Sequence, residues 1–340
     1  MENSKYETLL KDLKKINKKL LTNGFFDKFT FDENLKIEDE SEIIIKWKTC
    51  KDRKDKILKY NEVLGIKFYV SMCRLGRNLN FCNSFTCNRN ECTQNQYSCS
   101  LCSITKNYKF SPCLEFRKIY GLKINGLLII PNVFPYLNNQ FLIISKDHLT
   151  QTILDQDVRL LIKIIKIADK LCVSWIKQEN GVIFFNGLCG NSIEHFHAQI
   201  TTTSFPIFDQ NIMSNMKKIN NNIGLIDEIY YRGLVFNYDN MKDLIINLSK
   251  IIKKIIKKKF LYNFIIRRNI NLEVILFIRN CYVPKDIIDL NYGSSELSGI
   301  VITISKVIKK EDILKYINAT HNISNYLNVL GKKNFPKVIR

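Results

Sequence analysis

Two long segments with helical spacing of apolar residues, each lying between short apolar runs, constrain the fold of this chain most. In the first, which Asp155 can cap, apolar residues recur at intervals of three and four from residue 160 to residue 171. The second helix is predicted at 241–259. Because the flanking runs are short and apolar, we expect strands on both sides of each helix, and therefore an α+β protein. The predicted strands are 120–130, 140–145, 181–185 and about 193–203 around the first helix, and 225–238, 260–266, 272–279 and 298–305 around the second.

The same order of elements occurs twice along the chain, which predicts two α+β halves. We place the first half at 99–204 and the second, degenerate half, which contains no His-x-His, at 205–340. Residues 1–98 precede both halves and are predicted to contain an N-terminal amphipathic helix and a Cys-rich loop. A chain of 340 residues is long enough for one large core or two ordinary cores.

The formal net charge of +20 suggests a nucleic-acid partner, because clustered Lys and Arg neutralise phosphates. A simpler interpretation is a composition rich in Lys, Ile and Asn throughout. The densest basic run, 251–259, places pairs of Ile at helical spacing, so its lysines form a solvated face. The same positive field favours small anionic ligands such as nucleotides. Nucleic acid is therefore the less favoured partner.

The chain lacks the apolar segments that direct proteins to or through a membrane. No apolar run approaches the roughly 20 residues that a membrane helix needs. The N-terminal segment has no apolar signal core. We therefore expect no membrane partner and a cytoplasmic location.

Seven of the eleven cysteines lie in one stretch between residues 73 and 113. In a reducing compartment such a cluster favours metal binding over disulfides. Two residues separate Cys99 from Cys102, which allows both thiolates to reach one zinc ion; the alternative is a reduced, buried pair. A second zinc site, with free thiols as the alternative, would be formed by Cys73, Cys82, Cys87 and Cys92.

Two of the four histidines, His195 and His197, are separated by one residue. On a strand, residues i, i+2 and i+4 share a face, so His195, His197 and Gln199 are expected to project together. The preceding turn, 186–192, offers small residues and backbone N–H groups that suit phosphate oxygens. A single His on a strand is usually a satisfied surface or core residue. Two on one face, behind a Gly/Asn/Ser turn, favour a functional site.

The segment His195-Phe196-His197-Ala198-Gln199 resembles the His-x-His-x-Gln motif of the transferase branch of the histidine-triad superfamily. This branch includes galactose-1-phosphate uridylyltransferase, diadenosine tetraphosphate phosphorylase and the GDP-sugar phosphorylases, whereas the hydrolase branch ends the motif in His. Residues 141–148, an apolar strand ending in His148, and the turn at 132–136 resemble further parts of the family in the expected order. The resemblance implies an antiparallel sheet with packed helices in two degenerate halves.

The resemblance also implies that His197 attacks the α-phosphorus of a nucleoside diphosphate derivative and forms a covalent nucleotidyl-histidine. Gln199 and Ser192 would hold phosphoryl oxygens, and because Gln cannot transfer a proton as imidazole can, Gln199 favours transfer over hydrolysis. The segment from 186 to 195 is slightly shorter than in the uridylyltransferases. The residues expected to bind the nucleotide are Asn132, Phe134, Asn186, Gly190 and Asn191. The expected ligands of a structural Zn²⁺ are Cys99, Cys102, His148 and His195.

The sequence thus predicts a nucleotidyltransferase or phosphorylase that acts on a nucleotide sugar or a dinucleoside polyphosphate, with phosphate or a sugar phosphate as acceptor. Family relatives are often dimers, so a homodimer is a further expectation. Two alternatives stay open. One is a nucleotide hydrolase of the same superfamily, and the other is a non-catalytic zinc protein that binds nucleic acid through its basic surface.

Overall fold

In the residues that it describes, a computed structural model of the chain contains one large antiparallel sheet, two smaller sheets and helices packed on them. The predicted α+β class, an antiparallel sheet with packed helices, is confirmed. The structure describes residues 42–44, 57–61, 66–70, 101, 122–124, 126–132, 137, 139–152, 154, 158–173, 180–188, 190–191, 193, 195–228, 230–280, 293–303, 307–309, 318 and 321–331.

Three described strands lie before the main sheet in the chain: β1 (Glu42–Ile44), β2 (Ile57–Asn61) and β3 (Ile66–Val70). The strands of the main sheet are β4 (Leu122–Ile124), β5 (Leu127–Pro131), β6 (Phe141–Ser145), β7 (Val182–Asn186), β8 (His197–Thr201), β9 (Lys217–Lys218), β10 (Ile223–Asp227), β11 (Arg232–Tyr238), β12 (Leu261–Arg268) and β13 (Leu272–Arg279). Two further strands follow, β14 (Ile300–Thr303) and β15 (Val307–Lys309). Strand β3 pairs parallel with β14 and antiparallel with β2, and β1 pairs antiparallel with β15.

The helices of the described residues range from one turn to nearly five. They are α1 (Val158–Leu171), α2 (Gln210–Ser214), α3 (Met241–Lys257), α4 (Ser294–Leu297) and α5 (Ile323–Leu330), and Pro206–Phe208 forms a 3₁₀ turn. Both long helices, α1 and α3, lie where the apolar spacing predicts them. Asn240 caps α3, because its side chain accepts a hydrogen bond from the backbone N–H of Lys242 at 2.8 Å.

The order of the main sheet is symmetric about its centre. Its ten strands run β4-β5-β6-β8-β7-β12-β13-β11-β10-β9, and β7 pairs with β12 at the middle. On one side the chain follows β5, β6, α1, β7, β8, and on the other β10, β11, α3, β12, β13. This repeated order supports the predicted duplication, while the boundaries at 98/99 and 204/205 remain predictions.

One face of the sheet is covered by α1 and α3. The apolar positions predicted for α1 are all buried, as are those of α3 that face the sheet. They pack on the even-numbered side chains of β8 and β12, such as Ala198, Ile200 and Phe264. Burial of large aliphatic side chains contributes about 1.5–3 kcal/mol each, so this layer is a main source of stability.

The other face of the sheet carries a second apolar cluster and the polar side chains of interest. Phe184, Ile265 and Phe277 belong to this cluster together with Leu297 of α4. Because Gln199 is opposite Phe184 in the β7–β8 pair, His197 and Gln199 lie on this face too. The sheet thus separates the helical layer from a face that can hold a ligand.

Four predicted strands differ from the observed elements. The run 120–130 is a hairpin of β4 and β5, with Gly126 at φ 77° in the turn, which an Asn-Gly dipeptide favours. The run 225–238 is likewise a hairpin, of β10 and β11. Within the run 193–203 the described strand extends from His197 to Thr201, and within 298–305 it extends from Ile300 to Thr303. In both hairpins the apolar run continues through the turn, so its length exceeds that of each strand.

Candidate active site

His197 is the first residue of β8, at a point where the sheet opens. On one side β8 pairs with β6, with His197 opposite Ile144. On the other side the pairing of β8 with β7 ends at Gln199 opposite Phe184. Two residues beyond that pair, His197 and Asn186 lie at the ends of strands that no longer bond to each other. The side chain of His197 is therefore held at a break in the sheet.

The side chain of Gln151 fills this break. Its Oε1 accepts the backbone N–H of His197 at 2.8 Å, and its Nε2 donates to the carbonyl oxygens of Asn186 at 2.8 Å and His197 at 3.0 Å. Gln151 is buried. It replaces the ladder hydrogen bonds that the two strands would otherwise make, and so satisfies buried backbone groups on both.

The hydrogen bond of His197 fixes which ring nitrogen carries the proton. Its Nδ1 lies 2.8 Å from the carbonyl oxygen of His195, and a carbonyl can only accept. Nδ1 therefore carries the proton in the neutral ring, and Nε2 carries the lone pair. A neutral imidazole in this tautomer presents Nε2 as a nucleophile.

Gln199 lies two residues farther along β8 and contacts two other carboxamides. Its Oε1 accepts hydrogen bonds from Nε2 of Gln140 at 2.5 Å and from Nδ2 of Asn132 at 3.5 Å. All three side chains are buried. The structure thus places Asn132, which follows β5, in contact with Gln199, two residues from His197 on β8. The motif and its resemblance predicted all three as site residues.

The predicted phosphate-binding turn contacts the second half of the chain. The side chain of Asn186 donates to the carbonyl oxygen of Gly190 at 3.1 Å and accepts the backbone N–H of Ser294 at 2.7 Å. Gly190 has φ 91°, which favours glycine. Asn191 donates to the carbonyl oxygen of Ile193 at 3.4 Å. The carboxamide of Asn186 therefore shapes the turn and joins it to α4.

A second contact to the turn comes from Asn263 of β12. Asn263 is opposite Asn186 in the β7–β12 pair, and its Oδ1 accepts the backbone N–H of Gly187 at 3.1 Å. Gly187 lies so close to β12 that an added Cβ would approach the carbonyl oxygen of Tyr262 to 2.3 Å. Glycine is required here because the turn passes directly over the neighbouring strand.

The rings of His148 and His195 lie side by side at the end of β6. Their centroids are 5.2 Å apart, with the planes nearly perpendicular. Nε2 of His195 lies 3.0 Å from the carbonyl oxygen of Ser145, which places the proton on Nε2 and the lone pair on Nδ1. A metal-binding histidine commonly donates its other N–H to a carbonyl in this way. The two rings fit the donor set of a zinc site as two of its ligands.

The cysteines that would complete this site lie outside the described residues, as do all four cysteines of the expected second site. Leu101, whose sequence neighbour is Cys102, packs in an apolar cluster with Ile144 and Ile193. Among the described residues, no group of three or more His, Cys, Asp or Glu side chains could hold a metal ion. Ser192 and Phe134 also lie outside the described residues.

Sequence reasoning did not identify Gln140, Gln151, Asn263 or Ser294. Each lies in a loop, in a strand or at a helix terminus, and contacts a partner that is distant in the chain. The separations are 59 residues for Gln140, 46 for Gln151, 76 for Asn263 and 108 for Ser294. No local pattern marks such a residue.

In the part of the chain that the structure describes, no helix is long and apolar enough to span a membrane.

No protein-family model matches this chain, and no curated protein matches it significantly. Several solved structures are similar to it. Yeast Ap4A phosphorylase in complex with AMP is 14% identical, with a TM-score of 0.43 over 59% of this chain and 75% of that chain. An ADP-glucose phosphorylase from Arabidopsis thaliana with bound ADP-glucose is 13% identical, with a TM-score of 0.34 over 76% and 97%. A uridylyltransferase is 11% identical, with a TM-score of 0.28 over 46% and 74%. At these values the similarities alone assign neither a family nor a function.

Proposed function

We propose that this protein transfers a nucleoside monophosphate from a nucleotide sugar or a dinucleoside polyphosphate to phosphate or a sugar phosphate, through a covalent nucleotidyl-His197. The observation that carries the proposal is the contact between Nδ1 of His197 and the carbonyl oxygen of His195. This contact leaves the lone pair on Nε2, at a strand end next to a turn of small residues.

The proposed reaction consists of two displacements at the same phosphorus. In the first, Nε2 of His197 forms a bond to the α-phosphorus, while the bond from that phosphorus to its bridging oxygen breaks. The electron pair leaves with the sugar phosphate of a nucleotide sugar, or with the nucleoside polyphosphate of a dinucleoside polyphosphate. In the second, an oxygen of the acceptor attacks the same phosphorus, and the electron pair of the N–P bond returns to Nε2. Dividing one hard displacement into two easier ones is the general advantage of a covalent intermediate.

Gln199 supports this chemistry through its amide. With Oε1 accepting from Gln140 and Asn132, Nε2 is on the opposite side of the carboxamide. We assign Nε2 the role of donor to a phosphoryl oxygen as negative charge develops in the transition state. A carboxamide is not a general acid or base near neutral pH, so it does not activate water, and the intermediate is expected to persist until an acceptor binds.

A structural zinc ion would be held by Cys99, Cys102, His148 and His195, the last two of which lie in contact. Bound zinc would supply a structural anchor rather than reaction chemistry. His195 would then be fixed at its ring and through the carbonyl oxygen that contacts His197. Metal analysis of the wild type beside Cys99→Ala and His148→Ala tests this, and equal zinc content in all three would contradict it.

A labelling experiment tests the proposed function. The purified protein is incubated with α-phosphate-labelled nucleotide sugars and dinucleoside polyphosphates, including ADP-glucose and Ap4A, and quenched. We expect label on the chain that is acid-labile and base-stable, as a phosphoramidate is. His197→Ala should abolish it, whereas His321→Asn, which removes a buried histidine elsewhere, should retain it.

Two results would contradict the proposal. Label that persists in His197→Ala would place the nucleophile elsewhere. A wild type that takes no label across the panel, and binds RNA or DNA with a steep salt dependence that survives His197→Ala, would favour a nucleic-acid-binding protein.

A further inference from the structure

The orientation of one buried carboxamide, that of Gln140, follows from a backbone contact. Gln140 immediately precedes β6, and its side chain accepts the backbone N–H of Leu137 at 3.2 Å. A backbone N–H can only donate, so the atom that faces Leu137 is the oxygen, Oε1. Nε2 of Gln140 is therefore on the other side, where it lies against Gln199.

This orientation determines the next carboxamide. Because Nε2 of Gln140 donates, the atom of Gln199 that faces it must be Oε1, and Asn132 donates to the same oxygen. The two ends of a carboxamide have nearly the same shape, so packing alone does not choose between them. The polarity of the hydrogen bonds makes the choice, and it starts at the N–H of Leu137.

We propose that Gln140 is a positioning residue that directs Nε2 of Gln199 toward the phosphoryl group. This inference rests on the proposed function, in which that nitrogen donates to a phosphoryl oxygen. If the carboxamide of Gln199 were reversed, a carbonyl lone pair would face the negatively charged oxygen instead. A reversal would therefore replace an attractive contact in the transition state by a repulsive one.

The variant Gln140→Glu tests the proposal because its polarity depends on pH. As a carboxylate, the new side chain still accepts from Leu137 but can only accept from Gln199, which must then turn its Nε2 inward. We expect nucleotidyl transfer at pH 8 to fall by about 100-fold relative to wild type, the usual effect of losing one oxyanion donor. On acidification the carboxyl gains an O–H that donates to Gln199, as the amide did.

The diagnostic readout is the ratio of the variant's transfer rate to that of wild type between pH 8 and pH 5. We expect this ratio to rise as pH falls, with the recovery beginning above the usual carboxyl pKa of about 4.3 because burial raises the pKa of such a group. Gln140→Met, which keeps the shape and lacks the donor, should lose activity without any recovery. Asn139→Asp carries the same charge change at the adjacent residue, whose side chain donates to Thr202, and its ratio should stay flat.

The double variant Gln140→Glu/Gln199→Ala should be no slower at pH 8 than Gln199→Ala alone, because both changes remove the same donor. Additive losses, or a ratio for Gln140→Glu that does not change with pH, would overturn the proposal. Either result would mean that Gln140 affects the fold or the site in general rather than the orientation of Gln199.

A measurement without substrate separates this inference from the proposed function. In glutamine-¹⁵N-labelled protein, the Nε2 resonances of Gln199 are identified by their absence from Gln199→Ala. In Gln140→Glu they should shift at pH 8, where they bond to a carboxylate, and return toward their wild-type position by pH 5. If wild type takes no nucleotide label, the proposed function fails, and these resonances alone decide: unchanged positions at both pH values would reject the positioning role.

Discussion

At His197, one hydrogen bond to the carbonyl oxygen of His195 separates the ring nitrogens into a proton carrier, Nδ1, and a lone-pair carrier, Nε2. At His195 the contact with Ser145 produces the opposite tautomer. In the proposed function these two histidines would therefore serve different partners, with Nε2 of His197 directed at phosphorus and Nδ1 of His195 at a metal ion. The difference arises from which backbone carbonyl each ring meets.

Replacing Gln199 by His should shorten the lifetime of the nucleotidyl-enzyme. An imidazole can take a proton from water, which an amide cannot, so water becomes a competent acceptor. We expect the label on His197 to decay about 100-fold faster in the absence of phosphate acceptor, at the lower end of the usual 10²–10⁴-fold range of general acid–base catalysis. The measurement is the half-life of isolated, labelled protein, with Gln199→Asn as the amide control. Equal half-lives in the two variants would contradict this role of the third motif position.

At the scale of elements, the sequence predicted the parts of the fold that local spacing determines. The helices α1 and α3 follow from apolar periodicity, and His197 and Gln199 from their spacing on β8. The break between β7 and β8 was not predictable, because it depends on a side chain 46 residues from His197 in the chain. The same holds for the contact of α4 with Asn186, which joins residues 108 apart. A local motif is visible in a single sequence, whereas the distant residues that contact it are not.

Gln151→Leu should destabilise the start of β8 and slow transfer. The change leaves the N–H and carbonyl of His197 and the carbonyl of Asn186 without this partner, and each buried backbone group so left costs about 1–3 kcal/mol. We expect a loss of several kcal/mol in the free energy of unfolding, measured in urea, and a fall in kcat larger than any rise in KM.

The adjacent variant Thr152→Val is the control for this prediction. It removes a hydroxyl that contacts Thr150 at 2.8 Å and leaves the strand ends intact. We expect its stability to change by about 1 kcal/mol or less, as for most exposed or half-buried substitutions. If Gln151→Leu changed the free energy of unfolding as little as Thr152→Val, the side chain of Gln151 would not be what bridges the ends of β7 and β8.

At the scale of the whole molecule, the central pair of β7 and β12 makes one sheet from two similar sets of elements. Across β8, β7 and β12, His197 is followed by Asn186 and then by Asn263. The second set of elements, to which β12 belongs, therefore reaches the turn beside the candidate nucleophile. Strands β11 and β13 end in a comparable way. Their pairing stops at Leu234 opposite Leu276, and side chains of the C-terminal segment occupy the space beyond.

His321 is the titratable group in that C-terminal contact. Its ring lies against the carbonyl oxygens of Ile278 and Arg232, and the hydroxyl of Tyr326 is 2.8 Å from its Nε2. Burial lowers the pKa of His321 to about 3, assisted by the charges of Arg279 and Arg232, and outweighs the two carbonyl oxygens, which favour the charged ring and raise the pKa. The folded state therefore favours the neutral ring, while the unfolded chain takes up a proton near pH 6.5.

A histidine with a lowered pKa contributes stability that is fully present above pH 6.5 and is lost as pH falls toward 3. The slope for one proton is about 1.4 kcal/mol per pH unit, so the wild type should lose roughly 2 kcal/mol from this group between pH 6.5 and pH 5. His321→Gln cannot take up the proton, and its free energy of unfolding in urea should fall by that much less over the same interval. Tyr326→Phe removes a hydroxyl that contacts His321 but leaves the titrating ring in place. Its free energy of unfolding should therefore change with pH as steeply as that of the wild type. Parallel profiles for wild type and His321→Gln would show that the C-terminal segment stays docked when the imidazole is charged, and that its contact with β11 and β13 does not depend on a neutral ring.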